Sequence, residues 1–235
     1  MKRVNLLAAS TLLIGQTFTG AVLAASVTLS GATVDFSFDD SLLGLFGTPR
    51  VAGDTLFFTP IDFEVRSLNG AGFALTDASI NIVVTAHADQ MFTSASLLER
   101  GDYLLLGSGS SADVSGQIRV FDTAAPLVDM TASIVPTSLL NLPGVPTRNW
   151  EATAMTDLST WNSARSVNVT IENLLLAATG SSPSLAFVEK KFVGLTFLTT
   201  AAVTPVPEAE TYAMMLAGLG LIGWSVKRRR SLLAK

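Results

Sequence analysis

Hydrophobic and polar residues alternate along most of the middle of this chain, from about residue 26 to residue 203. Alternation with a period of two is typical of β-strands that bury one face and expose the other. Long amphipathic helical patterns do not occur in this part of the sequence. The alternating runs are "SVTLSGATVDFSF", "DTLFFTPIDFEVRS", "ASINIVVTAHA", "SGQIRVFD", "ARSVNVTIENLLLAA" and "SLAFVEKKFVGLTFLTT".

Segments rich in Gly, Ser, Asn and Pro separate these runs, at 67–72, 107–116, 141–146 and 179–184. Such segments favour turns. Roughly eight to eleven strands at this spacing predict an all-β fold, an antiparallel β-sandwich of jelly-roll-like type. A closed barrel is the alternative. One short helix is expected at 90–100, where Met91, Ala95 and Leu98 have helical spacing.

The N-terminal segment differs from the alternating middle. Lys2 and Arg3 are followed by a moderately apolar stretch and then by small residues that end at Ala24. This order is typical of a secretory signal peptide. We expect residues 1–24 to be a signal peptide, cleaved after Ala24, that directs residues 25–203 to the general secretion machinery. An uncleaved membrane anchor is the alternative, which the polar residues at 16–19 disfavour.

The C-terminal segment contains a second apolar stretch. Residues 211–226 carry no charge, and the basic cluster Lys227, Arg228, Arg229 and Arg230 follows directly. A helix of this length spans roughly 24 Å, somewhat less than a hydrocarbon core of about 30 Å. The pattern predicts a transmembrane helix at 211–226, with the basic cluster as a cytoplasmic stop. The middle domain would then lie outside the cytoplasm.

This C-terminal segment resembles the PEP-CTERM sorting signal of Gram-negative bacteria. The resemblance lies in Val206, Pro207 and Glu208, the apolar "ETYAMMLAGLGLIGW" and the basic "KRRR"; Ala209 stands where a second Pro is usual. It implies that residues 204–235 are a sorting tail recognised and cut by an exosortase, a membrane transpeptidase. It also implies an association with exopolysaccharide or biofilm. An ordinary membrane anchor that is retained is the alternative.

Charge and composition narrow the possible functions. Between residues 26 and 204 the chain has 17 acidic and 8 basic residues, so this part carries a net charge of −9. Without a basic surface to neutralise phosphates, nucleic-acid binding is not expected. The absence of cysteine excludes disulfides, thiolate metal sites and cysteine nucleophiles.

Candidate chemical groups in the middle domain are few. His87 is the only histidine, so a metal site with two histidines is excluded, and we expect a surface or edge-strand position. Asp62 and Glu64 would lie about 7 Å apart on one face of a strand, a separation that glycoside hydrolysis can use. Solvated strand faces produce such pairs commonly, so catalysis is not expected. Asp39 and Asp40 could bind calcium with a loop carbonyl, but no calcium-loop motif accompanies them.

The two tryptophans of the middle domain, Trp150 and Trp161, are candidates for stacking on a sugar ring. The alternative is that both are core residues, the more common role of Trp within a domain. Exposure of either ring beside a carboxylate would distinguish these two roles.

These observations predict a non-enzymatic exported protein, with no cofactor and no metal. It would pass through an inner-membrane intermediate, held transiently by the C-terminal helix, and reach the cell surface or extracellular matrix. Exosortase is the expected partner, with exopolysaccharide as a further one. A carbohydrate-binding or glycan-processing β-sandwich is the alternative.

Overall fold

The computed structural model describes residues 26–161, 163–202 and 209–233, and within the last range only the side chains of residues 212–224. The strands are β1 (Ser26–Ser30), β2 (Val34–Asp39), β3 (Pro49–Ala52), β4 (Thr55–Phe58), β5 (Glu64–Leu68), β6 (Gly72–Ala86), β7 (Gln90–Leu106), β8 (Ser110–Asp122), β9 (Asp129–Ser133), β10 (Val135–Pro136), β11 (Arg148–Asp157), β12 (Ser166–Thr179) and β13 (Leu185–Ala201). Two 3₁₀ turns, Asp40–Leu42 and Gly44–Phe46, follow β2, and the helix α1 spans Ala209–Leu233.

The strands form two antiparallel sheets. The first sheet has the order β1-β2-β6-β12-β8-β9, and the second has the order β10-β11-β7-β13-β4-β3, with β5 also paired to β13. The longest strands, β7 and β13, have 17 residues each, several times the usual strand length of about 5–6 residues. The predicted antiparallel β-sandwich is confirmed.

Inward-facing residues of both sheets form one continuous hydrophobic core. Aromatic rings contribute much of its volume. Phe197 of β13 packs against Phe36 of the first sheet at 6.4 Å between ring centres and against Phe92 at 5.3 Å. The contact with Phe36 joins the two sheets, whereas the contact with Phe92 lies within the second sheet; large rings fill the space that both inner faces line.

The prediction of a short helix at 90–100 is wrong, because these residues belong to the strand β7. A register irregularity between Leu198 and Thr199 of β13 lies opposite this segment. Within β7, Ser94 and Ala95 are consecutive and both buried, so the alternation is interrupted there. The interruption hides the strand period and leaves a spacing that imitates a helix.

Candidate functional site

Three polar side chains lie together inside the hydrophobic core. They are Lys190 of β13, Glu99 of β7 and Asn173 of β12, with exposed fractions of 1%, 0% and 3%. The strands β7 and β13 are neighbours in the second sheet, whereas β12 lies in the interior of the first. The cluster formed by these three residues, called the buried cluster below, therefore connects the two layers.

Strand alternation directs two of these side chains inward. Glu99 is two residues from Leu97, and Asn173 lies between Ile171 and Leu175; all three hydrophobic neighbours are buried. Because side chains two apart in a strand share a face, Glu99 and Asn173 occupy positions that otherwise hold core hydrophobics.

A β-bulge sets the position of Lys190. The register of β13 against β7 shifts between Lys190 and Phe192, which leaves Lys191 as the extra, outward residue. Val188 and Lys190 point inward before the shift, and Val193 points inward after it. The bulge therefore gives two consecutive lysines opposite environments.

The amine of Lys190 contacts both other members of the buried cluster. Its Nζ donates to Glu99 Oε2 at 2.5 Å and to Asn173 Oδ1. The same atom lies 5.1 Å from the ring centre of Phe63 and 5.9 Å from that of Trp150. Within the described part of the chain, Glu99 Oε1 and Asn173 Nδ2 are buried without a hydrogen-bond partner, and each such group costs about 1–3 kcal/mol.

Burial changes the protonation preferences of the pair. It raises the pKa of the Glu99 carboxyl, and the nearby Lys190 opposes part of that rise. It lowers the pKa of the Lys190 ammonium, and Glu99 opposes part of that fall. Both shifts favour transfer of a proton from Lys190 to Glu99, because a low-dielectric interior disfavours the charged forms. The buried cluster thus combines a nucleophilic amine, an acidic carboxyl and an amide carbonyl.

The three members of the buried cluster were not among the sequence candidates, although a signal for them exists. Each is a polar residue at a position where the alternation calls for a hydrophobic one. In "VNVTIENLLL", for example, Asn173 continues the inward series of Val169 and Ile171. A polar residue in the buried phase of a strand is the feature to search for.

The structure places both candidate tryptophans in the core. Trp150 of β11 is 3% exposed and Trp161 is 8% exposed. The indole Nε1 of Trp150 donates to the carbonyl of Glu189 at 3.0 Å. Its ring packs over Gly101, where an added Cβ would lie 2.8 Å from the ring carbons. Since neither ring offers a free face, the sugar-stacking hypothesis loses its support.

A surface cleft of about 390 Å³ lies beside Trp150 and is lined by several charged side chains. Arg100 Nε donates to Glu151 Oε2 at 2.8 Å, while Lys191 Nζ donates to Asp102 Oδ2. The hydrogen bond to Asp102 is the largest cause that raises the pKa of Lys191. These charges already neutralise one another within the chain, so the cleft does not present a concentrated charge to a ligand.

The single histidine pairs with a carboxylate at the surface. His87 Nε2 lies 3.0 Å from Asp35 Oδ1, and the two side chains are 36% and 34% exposed. This hydrogen bond is the main cause that lowers the pKa of Asp35. His87 lies just after β6, in a partly exposed position that agrees with the expected surface histidine.

The other acidic candidates do not converge on a site. Asp39 accepts hydrogen bonds from the backbone N and the hydroxyl of Ser41 and so caps the first 3₁₀ turn. Asp62 precedes β5 and Glu64 begins it, so they do not form the expected pair within one strand. Among the described residues, no group of three or more His, Cys, Asp or Glu side chains could hold a metal ion.

The C-terminal segment forms α1, which includes the basic cluster Lys227–Arg230. The motif residues Val206, Pro207 and Glu208, and Ala24 of the expected signal peptide, lie outside the described residues. In the part of the chain that is described, no helix has the length and apolar character needed to cross a membrane. The transmembrane helix expected at 211–226 stays a prediction.

Comparison with known protein families decides the nature of the C-terminal segment. Residues 205–230 match the family model described as the PEP-CTERM protein-sorting motif. The chain carries a PEP-CTERM sorting motif. The match covers all three motif residues predicted from the sequence and the basic cluster, and it lies outside the β-sandwich.

Comparisons beyond this PEP-CTERM motif add little. No curated protein sequence matches the chain. Among solved structures, the infectious bursal disease virus VP2 subviral particle is similar at 12% identity and a TM-score of 0.24, over 77% of this chain and 49% of that one. TmCBM61 in complex with β-1,4-galactotriose is similar at 9% identity and a TM-score of 0.18, over 57% of this chain and 88% of that one. The chain thus spans about half the length of the viral protein. These TM-scores are too low to establish a shared fold.

Proposed function

We propose that this protein is a non-enzymatic component of the cell surface or extracellular matrix, associated with exopolysaccharide. The observation that carries the proposal is the PEP-CTERM motif at residues 205–230, which supports an exported protein that an exosortase recognises and sorts. In this proposal Pro207 and Glu208 are recognition residues of a substrate. The β-sandwich is the part delivered to the exterior.

The placement of the candidate catalytic groups supports a non-enzymatic role. His87 is engaged with Asp35 at the surface, and Asp39 serves as a cap. Asp62 and Glu64 are not held on one strand face. The alternative role, carbohydrate binding or glycan processing, required an exposed tryptophan, but Trp150 and Trp161 are both buried.

The sorting function is tested by the mass of the protein that its native host releases, with and without the host's exosortase gene. We expect a chain that ends near Pro207 when the enzyme is present, and a chain that keeps residues 211–235 when it is absent. Glu208→Ala should prevent processing, whereas the matched control Glu210→Ala, two residues beyond the Val206–Glu208 segment, should be processed normally. Retention of residues 211–235 in both strains would refute the sorting function.

The matrix association is tested separately in a host strain that makes no exopolysaccharide. We expect the processed protein to remain in the matrix fraction of the parent strain and to move to the culture medium of the mutant. An unchanged distribution in the mutant would refute the association with exopolysaccharide but would leave sorting intact.

A further inference from the structure

We propose that the buried cluster forms a covalent cross-link within the chain, an isopeptide bond between Lys190 Nζ and Asn173 Cγ, with Glu99 as the catalytic acid and base. The inference concerns the β-sandwich alone and does not depend on the sorting function. It assigns a self-modification site to residues that sorting does not use.

The geometry brings the two reacting groups into contact. Lys190 Nζ donates to Oδ1 of Asn173, so the amine lies directly beside the amide carbonyl that it would attack. Glu99 Oε2 contacts the same amine at 2.5 Å. Holding a nucleophile, an electrophile and an acid–base group in one rigid core converts their encounter into an intramolecular event, which accelerates such reactions greatly.

The protonation state favours reaction. A lysine attacks a carbonyl only as the neutral amine. Burial lowers the pKa of Lys190 and raises that of Glu99, so the proton can move from Nζ to the carboxylate. The aromatic rings of Phe63 and Trp150 beside Nζ keep the amine in apolar surroundings, which disfavour the ammonium form.

The reaction balances without an oxidant or any other reagent. Neutral Nζ forms a bond to Asn173 Cγ while protonated Glu99 gives its proton to Oδ1. The Glu99 carboxylate then removes a proton from Nζ and delivers a proton to Nδ2. The Cγ–Nδ2 bond breaks and Nδ2 leaves as ammonia, while the proton on Oδ1 returns to the Glu99 carboxylate and the carbonyl re-forms. The products are a secondary amide between Lys190 and Asn173, one molecule of ammonia and Glu99 in its protonated form.

The cross-link would remove two unfavourable contributions to the free energy of folding that a buried ion pair retains: the desolvation of charge and the unpartnered Asn173 Nδ2. A buried ion pair must overcome the desolvation of both charges, and here Asn173 Nδ2 is also buried without a hydrogen-bond partner among the described residues. Formation of the amide removes the lysine charge and expels Nδ2 as ammonia. The new N–H can donate to Glu99, which remains beside it.

The bond would tie the two layers of the sandwich together. Asn173 lies on β12 of the first sheet and Lys190 on β13 of the second, 17 residues apart in the chain. A chain without cysteine would thereby gain a cross-link that reducing agents do not break. Such a bond suits a protein that must persist outside the cell.

Peptide mapping of the full-length protein, denatured before digestion, tests the proposal directly. A protease that cuts after Glu separates Asn173 from Lys190, because it cuts after Glu172 and Glu189. We expect the fragment 173–189 to remain joined to the fragment that begins at Lys190, with a combined mass about 17 Da below the sum of the two, the mass of ammonia. Recovery of the two fragments separately, whatever their masses, would overturn the proposal.

Variants assign the roles within the buried cluster. Glu99→Gln keeps the shape of the side chain but cannot exchange the proton, and it should leave the two fragments unlinked. Lys190→Arg should do the same. The matched control Lys191→Arg, at the exposed neighbouring lysine, should retain the link. A full yield of the link in Glu99→Gln would overturn the catalytic role of Glu99, and the wild-type digest decides the existence of the bond even where a variant does not fold.

Discussion

The β-sandwich and the helix α1 use the same kinds of residue in opposite ways. In the sandwich even charged side chains are buried, as Lys190 and Glu99 are at 1% and 0% exposure. In α1 the described hydrophobic side chains are exposed, for example Met214 at 75% and Leu219 at 59%. Because side chains of the sandwich have many core contacts to lose and the described side chains of α1 have few, the stability of the fold should depend mainly on the sandwich. Substitutions in the two regions should therefore have separable effects.

The largest loss of stability is expected from Lys190→Met. The substitution removes the nitrogen that contacts Glu99 Oε2 and Asn173 Oδ1 in the core, and loss of one partner of a buried ionisable pair costs about 3–5 kcal/mol in free energy of unfolding. Urea denaturation of the two proteins measures the difference. Lys191→Met is the matched control and should cost less than about 1 kcal/mol, because its ion pairs are exposed and screened. Equal losses in the two variants would contradict the special position of Lys190.

A pair of leucines compares the two regions directly. Leu195 of β13 is fully buried, and Leu219 of α1 is mostly exposed. Leu195→Ala should lower the free energy of unfolding by about 2–5 kcal/mol, because it removes core contacts and leaves a cavity. Leu219→Ala should change it by less than about 0.5 kcal/mol. A large effect of Leu219→Ala on sandwich unfolding would show that the tail contributes to the stability of the domain.

Gly101→Ala probes the packing over the buried cluster with a smaller expected effect. Gly101 pairs with Lys190 across β7 and β13, and an added Cβ would lie 1.9 Å from the carbonyl oxygen of Glu189. Overpacking of this kind costs about 1–3 kcal/mol. Gly180→Ala is the control, since the nearest atom to its added Cβ is 3.8 Å away, and its unfolding free energy should change little. Similar chemical denaturation curves for both variants would contradict close packing at Gly101.

The contrast between the tail and the sandwich also explains which features could be predicted from the sequence alone. The sorting motif is a contiguous segment, so its residues were identified in order and without a structure. The sandwich was predicted because a period of two is also a local pattern. The prediction for residues 90–100 was wrong because the pairing register between β7 and β13 is irregular there and interrupts the alternation. That register depends on the partner strand, which a local pattern does not include.

The buried cluster could not be assembled from the sequence for a different reason. Lys190 and Glu99 are 91 residues apart in the chain, and only the order of strands in the sheets brings them together. The alternation pattern could have marked each as a polar residue in an inward-facing position, but a local pattern does not show which strands pair. The burial of Trp150 also depends on strand pairing. Its ring packs over Gly101 of the neighbouring strand, and a residue with a side chain there would leave no room for it.

The smallest effect is expected at the sandwich surface, from His87→Ala. The hydrogen bond from His87 is the main cause that holds the pKa of Asp35 below its ordinary value of 3.8, and Ser30 is a second cause. Without His87 the pKa of Asp35 should rise toward 3.8, as measured by NMR titration of the carboxyl carbon.

The sign of the accompanying stability change follows from the direction of this shift. Because the pKa of Asp35 is lower in the folded chain than in the unfolded one, the interaction stabilises the fold above pH 3.8 and is lost as the pH falls through the folded-state pKa. His87→Ala should therefore lower stability slightly at pH 5 and make no difference once the pH is well below the folded-state pKa of Asp35. Asp157, whose pKa is lowered by Ser159 at a separate site, is the internal control and should titrate unchanged. A shift at both carboxyls would indicate a general change of the fold, and no shift at Asp35 would refute the pairing with His87.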